Sequence, residues 1–160
     1  MVRPMNITEA IATEPATFLS MFHQIELVLP SVKSQAEINT IAAVVAGLMG
    51  DHAQLETDLA LVGLDHALLH KDQIETMQQG HHEMADRLHQ VQRAGTCGQA
   101  RRLLRTAIRA SVRHFRNEER YVLPMLGRAL KPEDQTALGK AFARVRGGKA
   151  KRREEQELGG

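Results

Sequence analysis

Apolar residues recur at helical spacing through most of this chain, and no stretch of it alternates as a half-buried strand does. Ile41, Val45, Leu48, His52, Leu55, Leu59 and Val62 fall on one seam of 4,3 steps. Ile74, Met77, His81, Met84, Leu88 and Val91 form a second seam. Leu104, Ala107, Ser111, His114, Glu118, Tyr121 and Met125 form a third. An earlier stretch, from about Ala16 to beyond Leu29, carries Phe18, Leu19, Phe22, Ile25 and Leu29. Each helix of this kind has one apolar stripe to bury, so the reading is all-α: long helices packed as a bundle.

Local chemistry marks the breaks. Ser34-Gln35-Ala36-Glu37 and Asp72-Gln73-Ile74-Glu75 read as capping boxes. Gly63 can end the second helix, and Gly95-Thr96-Cys97-Gly98 separates the third from the fourth. Asn6-Ile7-Thr8-Glu9 opens a short helix before the bundle. Pro124 lies near the end of the fourth helix, and Pro132-Glu133-Asp134 starts another that carries Leu138, Ala141, Phe142 and Val145. The charged, Gly-containing remainder from Gly147 is expected to fray. The chain thus divides into a bundle over 1–130 and, over 131–160, a short C-terminal helix with a charged flexible tail.

Composition narrows the class. A length of 160 residues suffices for one domain with a sizeable core, and 42% hydrophobic residues exclude a disordered polymer. Aromatics make up 3% and Trp is absent, so aliphatic side chains and Met must fill the interior. A net charge of +2 is too small to argue for nucleic acid or a membrane surface. Cys97 is the only cysteine, which excludes an internal disulfide and fits a reducing compartment. The N-terminal residues lack the apolar core of a secretory signal, and the best apolar run, Ile38 to Met49, is too short to span a bilayer. A soluble, cytoplasmic protein is expected.

Ionisable residues inside the apolar seams carry the functional signal. His52/Glu56 and His114/Glu118 are both i, i+4 pairs, so each aims an imidazole and a carboxylate at one point. Such groups are costly on buried faces unless they are paired or bind a metal. Imidazole nitrogen and carboxylate oxygen suit iron, manganese or zinc, and a shared carboxylate can hold two cations close together. His23, after Phe22 on the first helix, joins this set, and Glu26 either accompanies it or faces water. His81 and His82 compete for the third helix. His81 fits the strict seam with Met77 and Met84, whereas His82 fits a 3.6 period with Ala85 and Leu88. Adjacent residues diverge by about 100°, so only one can point squarely inward.

Constant rise per residue gives a geometric test, because ligands at one height on antiparallel neighbours must have the turn midway between them. From His52/Glu56 to His82 the midpoint falls near Leu68, and from His82 to His114 it is Gly98. Both agree with the proposed breaks. From His23 to His52 it falls near Glu37 or Ile38, which fits less well, because Ser34 would cap before the turn and Pro30 would have to kink the first helix rather than end it. His66 and His70 are also i, i+4, but pairing His66 with His114 needs a turn near Gln90, inside a seam. They are assigned to the loop, and His89 to the outside.

Other features read as structural. Met49, Met77, Met84 and Met125 are core filler, Cys97 is a free thiol, and Tyr121 either packs or donates to a ligand carboxylate. Arg102, Arg105, Arg109, Arg113, Arg116 and Arg120 line an outer face of the fourth helix. That face lacks the interleaved aromatics of a nucleic-acid platform and reads as solvated. His-Glu-x-x-His, Glu-x-x-His, Gly-rich phosphate loops and Gly-x-Ser-x-Gly are all absent.

These residues resemble the hemerythrin family, in particular hemerythrin-like HHE cation-binding domains, over about Ala16 to Leu126. The most specific piece is His114-Phe115-x-x-Glu118-Glu119 with Pro124 and Leu126, followed by Asp51-His52-x-x-x-Glu56 and His82-x-x-Ala85-x-x-Leu88. The resemblance implies an up-down-up-down antiparallel four-helix bundle around a non-haem di-iron centre. The implied ligands are His23, His52, Glu56, His82, His114 and Glu118, with Glu56 and Glu118 bridging two iron ions and His82 favoured over His81. The oxygen-carrying members have two third-helix His residues at i, i+4, whereas Gln78 and Asp86 occupy those places here. The set is more like that of iron-sulfur-cluster repair proteins and iron- or oxygen-sensing members, although the repair proteins carry an additional Cys-bearing N-terminal domain.

The expected function is binding or sensing of oxygen, peroxide or nitric oxide at such a centre, or the handling of iron. Two alternatives are a di-iron enzyme acting on peroxide or nitric oxide or repairing iron-sulfur clusters, and a metal-free helical interaction module using the Arg-rich face.

Overall fold

The structure, a computed structural model, describes residues 5–61 and 71–158. Among the described residues every regular element is helical. The elements are α1 (Ile7–Val28), a 3-10 turn (Leu29–Ser31), α2 (Gln35–Leu55), a π-helical turn (Glu56–Leu61), α3 (Lys71–Gln92) and α4 (Cys97–Asn117). They continue with a second π-helical turn (Glu118–Val122), α5 (Leu123–Ala129) and α6 (Pro132–Leu158). α1 to α4 form the expected antiparallel bundle, and α6 lies against α1.

The expected starts hold for α2 and α4. Ser34 accepts a hydrogen bond from the Glu37 N–H while the Glu37 carboxylate accepts one from the Ser34 N–H. Thr96 caps α4 through the Gln99 N–H. α3 is described from Lys71, which puts Asp72 inside its first turn. Gly63, His66 and His70 lie outside the described residues.

The first helix differs from expectation. It is one helix from Ile7, not a short piece followed by a start at Ala16. Asn6 and Glu9 form a full capping box, with 2.9 Å from Glu9 N to Asn6 Oδ1 and 3.1 Å from Asn6 N to Glu9 Oε2. Pro15 is accommodated inside the helix, although it forfeits one backbone bond. Pro30 ends the helix, in the 3-10 turn, rather than kinking it. Arg101 of α4 fastens this corner by donating to the carbonyls of Leu29 (3.2 Å) and Val32 (2.5 Å).

The C-terminal helix is also longer than expected, continuing through Gly147 and Gly148 to Leu158. Its Phe142 is buried, and Gly139 lies so close to the Met5–Ile7 backbone that an added Cβ would overlap it. That close approach is what glycine permits.

The interior is layered. One apolar cluster, including Phe22, Ile38, Leu88, Leu104 and Phe115, fills the half of the bundle near the α1–α2 and α3–α4 turns. A second, including Ile7, Ile11, Leu55, Met77, Leu126 and Phe142, fills the other half. Each fully buried side chain of this size contributes about 1.5–3 kcal/mol. Glu14, His52, Glu56, His81, Ser111, His114 and Glu118 are the buried polar and charged residues among those described. No helix of the described residues is long and apolar enough to cross a membrane.

Candidate metal centre

Each of the two His-x-x-x-Glu pairs ends an α-helix and begins a π-helical turn. Glu56 follows α2 and Glu118 follows α4. The wider turn, closed by the Leu123 N–H to the Glu118 carbonyl, lets consecutive i+4 steps stay on one face. His114, Glu118 and Val122 are accordingly all buried. Single π turns inside helices often occur where a side chain has to be re-aimed for function.

His52, Glu56, His81 and His114 each offer one donor atom within 4.8 Å of the others, and all four are buried. His52 Nε2 lies 3.3 Å from Glu56 Oε1 and 3.7 Å from Glu118 Oε2. His81 Nε2 lies 3.1 Å from Glu56 Oε2, and His114 Nε2 lies 3.7 Å from Glu118 Oε2. The two carboxylates therefore stand between three imidazoles.

These contacts leave the donor atoms unsatisfied. His52 Nε2, His81 Nε2, His114 Nε2, Glu56 Oε2 and both Glu118 carboxylate oxygens are buried without a hydrogen bond of acceptable geometry. One such atom costs about 1–3 kcal/mol. Six in one buried layer fit cations, which accept lone pairs from nitrogen and oxygen alike.

Burial also sets the protonation. Desolvation, then the neighbouring charge of Glu118, pushes the Glu56 carboxyl up to about 8. Desolvation pushes Glu118 up to about 7. The His114 imidazole is pushed down to about 4 by burial and by His52, and burial lowers His81 as well. Carboxyls that hold protons and imidazoles that shed them leave little net charge, so an entering cation displaces protons from the carboxyls.

The hemerythrin HHE cation binding domain family matches residues 6–126. The chain belongs to this family. No curated protein and no solved structure gives a significant match. An HHE domain with a buried His/Glu cluster points to a metal-binding protein, with iron the metal the family suggests.

Within this HHE domain the structure brings together His52, Glu56, His114 and Glu118 of the expected set, with His81 in the third-helix place. His82 is exposed. His81 continues the strict seam of Met77, Met84, Leu88 and Val91, all buried, and the neighbouring residue has to turn away. His23 is exposed too. The α1–α2 corner centres near Lys33, nineteen residues before His52, and Glu14 lies nineteen residues before Lys33. Equal rise therefore sets Glu14, not His23, at the height of His52. Glu14 is 2% exposed and pairs with His52 Nδ1.

The buried His/Glu layer of the HHE domain is walled by rings. Phe115 stands 5.0 Å and Phe18 5.6 Å from the His52 ring, centroid to centroid. On the other side a cleft of about 500 Å³ between α3 and α4 reaches His114 and Glu118. Thr76, Met77, Gly80, Met84, Asn117 and Tyr121 are among its walls. Tyr121 is exposed there, with the Arg120 guanidinium over its ring. Arg102, Arg109, Arg113, Arg116 and Arg120 are exposed as expected and Arg105 is half-buried.

Proposed function

We propose that this HHE domain is a non-haem iron protein whose buried layer holds a carboxylate-bridged pair of iron ions and binds or senses oxygen, peroxide or nitric oxide. The carrying observation is the convergence of His52, His81, His114, Glu56 and Glu118, with donor atoms unsatisfied, in one buried layer. Glu56 presents one oxygen to His52 and the other to His81, and Glu118 Oε2 lies between His52 and His114, an arrangement that suits bridging carboxylates. Iron bound there would supply coordination positions that the protein leaves open, because three imidazoles and two carboxylates fall short of two full octahedra.

The chain's own residues do the rest. The imidazoles give neutral nitrogen, the two carboxylates offset cation charge, and Phe18 and Phe115 keep water from the His52 side. The cleft lined by Gly80 and Tyr121 gives a small molecule a way in on the His114 side. The same access serves a second reading, in which the same centre turns over peroxide or nitric oxide. Steady-state turnover above that of free iron would support this second reading, and its absence would leave sensing.

The test is the visible spectrum of anaerobically reduced, iron-loaded protein on exposure to air, peroxide or nitric oxide. A new charge-transfer band for at least one of them is expected. Iron-loaded protein whose spectrum ignores all three would overturn the ligand-binding reading.

A further inference from the structure

Glu14 is fully enclosed and uses its two oxygens on two different elements. Oε2 meets His52 Nδ1 of α2, and Oε1 forms an ion pair with the Arg146 guanidinium of α6 that lacks the alignment of a hydrogen bond. Arg146 has its side chain half exposed, reaching the carboxylate from outside the bundle. α6 lies beyond residues 6–126, the span the family matches. It is nevertheless fastened to α1 by buried Phe142 and by the close approach at Gly139.

We propose that Glu14 and Arg146 form a positioning pair that holds the His52 imidazole with its proton on Nδ1 and its Nε2 lone pair toward Glu56 and Glu118, making α6 part of the metal site. A carboxylate beside a guanidinium can only accept, so the His52 nitrogen that faces it must donate. Nε2 is then left as the donor to a metal, 3.3 Å from Glu56 Oε1 and 3.7 Å from Glu118 Oε2. A carboxylate behind a metal-binding imidazole fixes ring orientation and raises ligand basicity. Here the charge that balances that buried carboxylate arrives from a helix outside the bundle. Docking of α6 therefore tunes the readiness of His52, and whatever loosens α6 weakens metal binding.

The inference deepens the metal-centre reading and rests on it for the affinity arm alone. The experiment uses the full chain and four proteins: wild type, Glu14→Gln, Arg146→Met and Arg146→Lys. In metal-free protein, imidazole 15N NMR is expected to find the His52 proton on Nδ1 in wild type and to find that preference weakened in Arg146→Met and Glu14→Gln. With cobalt(II) alone as probe, affinity is expected to drop about 10–100-fold in Glu14→Gln and about tenfold in Arg146→Met, with most of it regained in Arg146→Lys. A wild-type His52 protonated on Nε2 overturns the proposal, whatever the metal result. So does cobalt affinity that is unchanged in both Glu14→Gln and Arg146→Met, or a loss in Arg146→Met that Arg146→Lys does not relieve. Wild-type protein that binds no cobalt or iron counts against the metal-centre reading, and the NMR arm then decides this proposal by itself.

Discussion

Gly80 of α3 lies so close to His114 of α4 that a Cβ at Gly80 would stand 2.6 Å from His114 Nδ1. Glycine in a helix interior costs about 1 kcal/mol relative to alanine. Here it makes room for an imidazole. Gly80→Ala is expected to push His114 out of register and lower iron affinity about tenfold or more. Thermal unfolding of the metal-free variant should change by no more than about 1 kcal/mol, since the helix gains what the contact loses. An unchanged affinity would mean that His114 does not need its present position.

The two buried carboxylates are expected to trade stability for binding. Glu118→Gln removes an ionisable group that desolvation pushes to about 7 and that pushes Glu56 higher still. Metal-free Glu118→Gln should therefore be more stable than wild type at pH 8, by about 1–3 kcal/mol in denaturant melts. Its iron content should fall sharply. A variant that is less stable without metal would contradict the electrostatic account.

Metal-free stability should decline as pH rises from about 6.5 to beyond 8. Glu56 and Glu118 hold protons up to about 8 and about 7 when folded, against 4.5 in the reference state. Over that interval the folded state binds more protons, and their contribution is lost as pH climbs through the folded values. His81 and His114 act in the opposite sense. With folded values below 6.5, their contribution is lost as pH falls from 6.5 toward about 4 for His114. Iron reverses the upper limb, because loading requires the carboxyl protons to leave. The gain in melting temperature on adding iron should be larger at pH 8 than at pH 6, and a gain that shrinks with pH would refute this.

His81→Ala and His82→Ala should separate two adjacent residues. His81 is in the layer and His82 is outside it. His81→Ala should remove most iron binding. His82→Ala and His23→Ala should leave it intact and shift stability by no more than about 0.5 kcal/mol, as surface changes usually do. Metal content of the three purified variants checks this, and loss in His82→Ala with retention in His81→Ala would invert the assignment.

Local rules carried much of this structure. The bundle and the two His-x-x-x-Glu pairs follow from i, i+4 geometry, and the strict seam through Met77 and Met84 already pointed to His81. The family pattern favoured His82, which a difference of one residue turns outward. Glu14 is hidden from a reading that starts the first helix at about Ala16, whereas the helix begins at Ile7 and runs through Pro15. The signal was present in the Ser34 capping box, whose corner sets Glu14 level with His52. Arg146 stood at the edge of a segment read as a fraying tail, although its i, i+4 partner Phe142 is buried. The π turns at Glu56 and Glu118 carry no local signature, because they arise from the need to keep successive i+4 side chains on one face of a packed helix.

The most direct measurement is the iron content, by plasma spectrometry, of protein reconstituted with iron(II) without air and then freed of excess metal. Wild type should retain about two iron ions per chain, as a carboxylate-bridged pair in a helical bundle requires. His52→Ala and His114→Ala should retain little. Wild type that keeps no iron, or variants that keep as much as wild type, would contradict a metal centre in this layer.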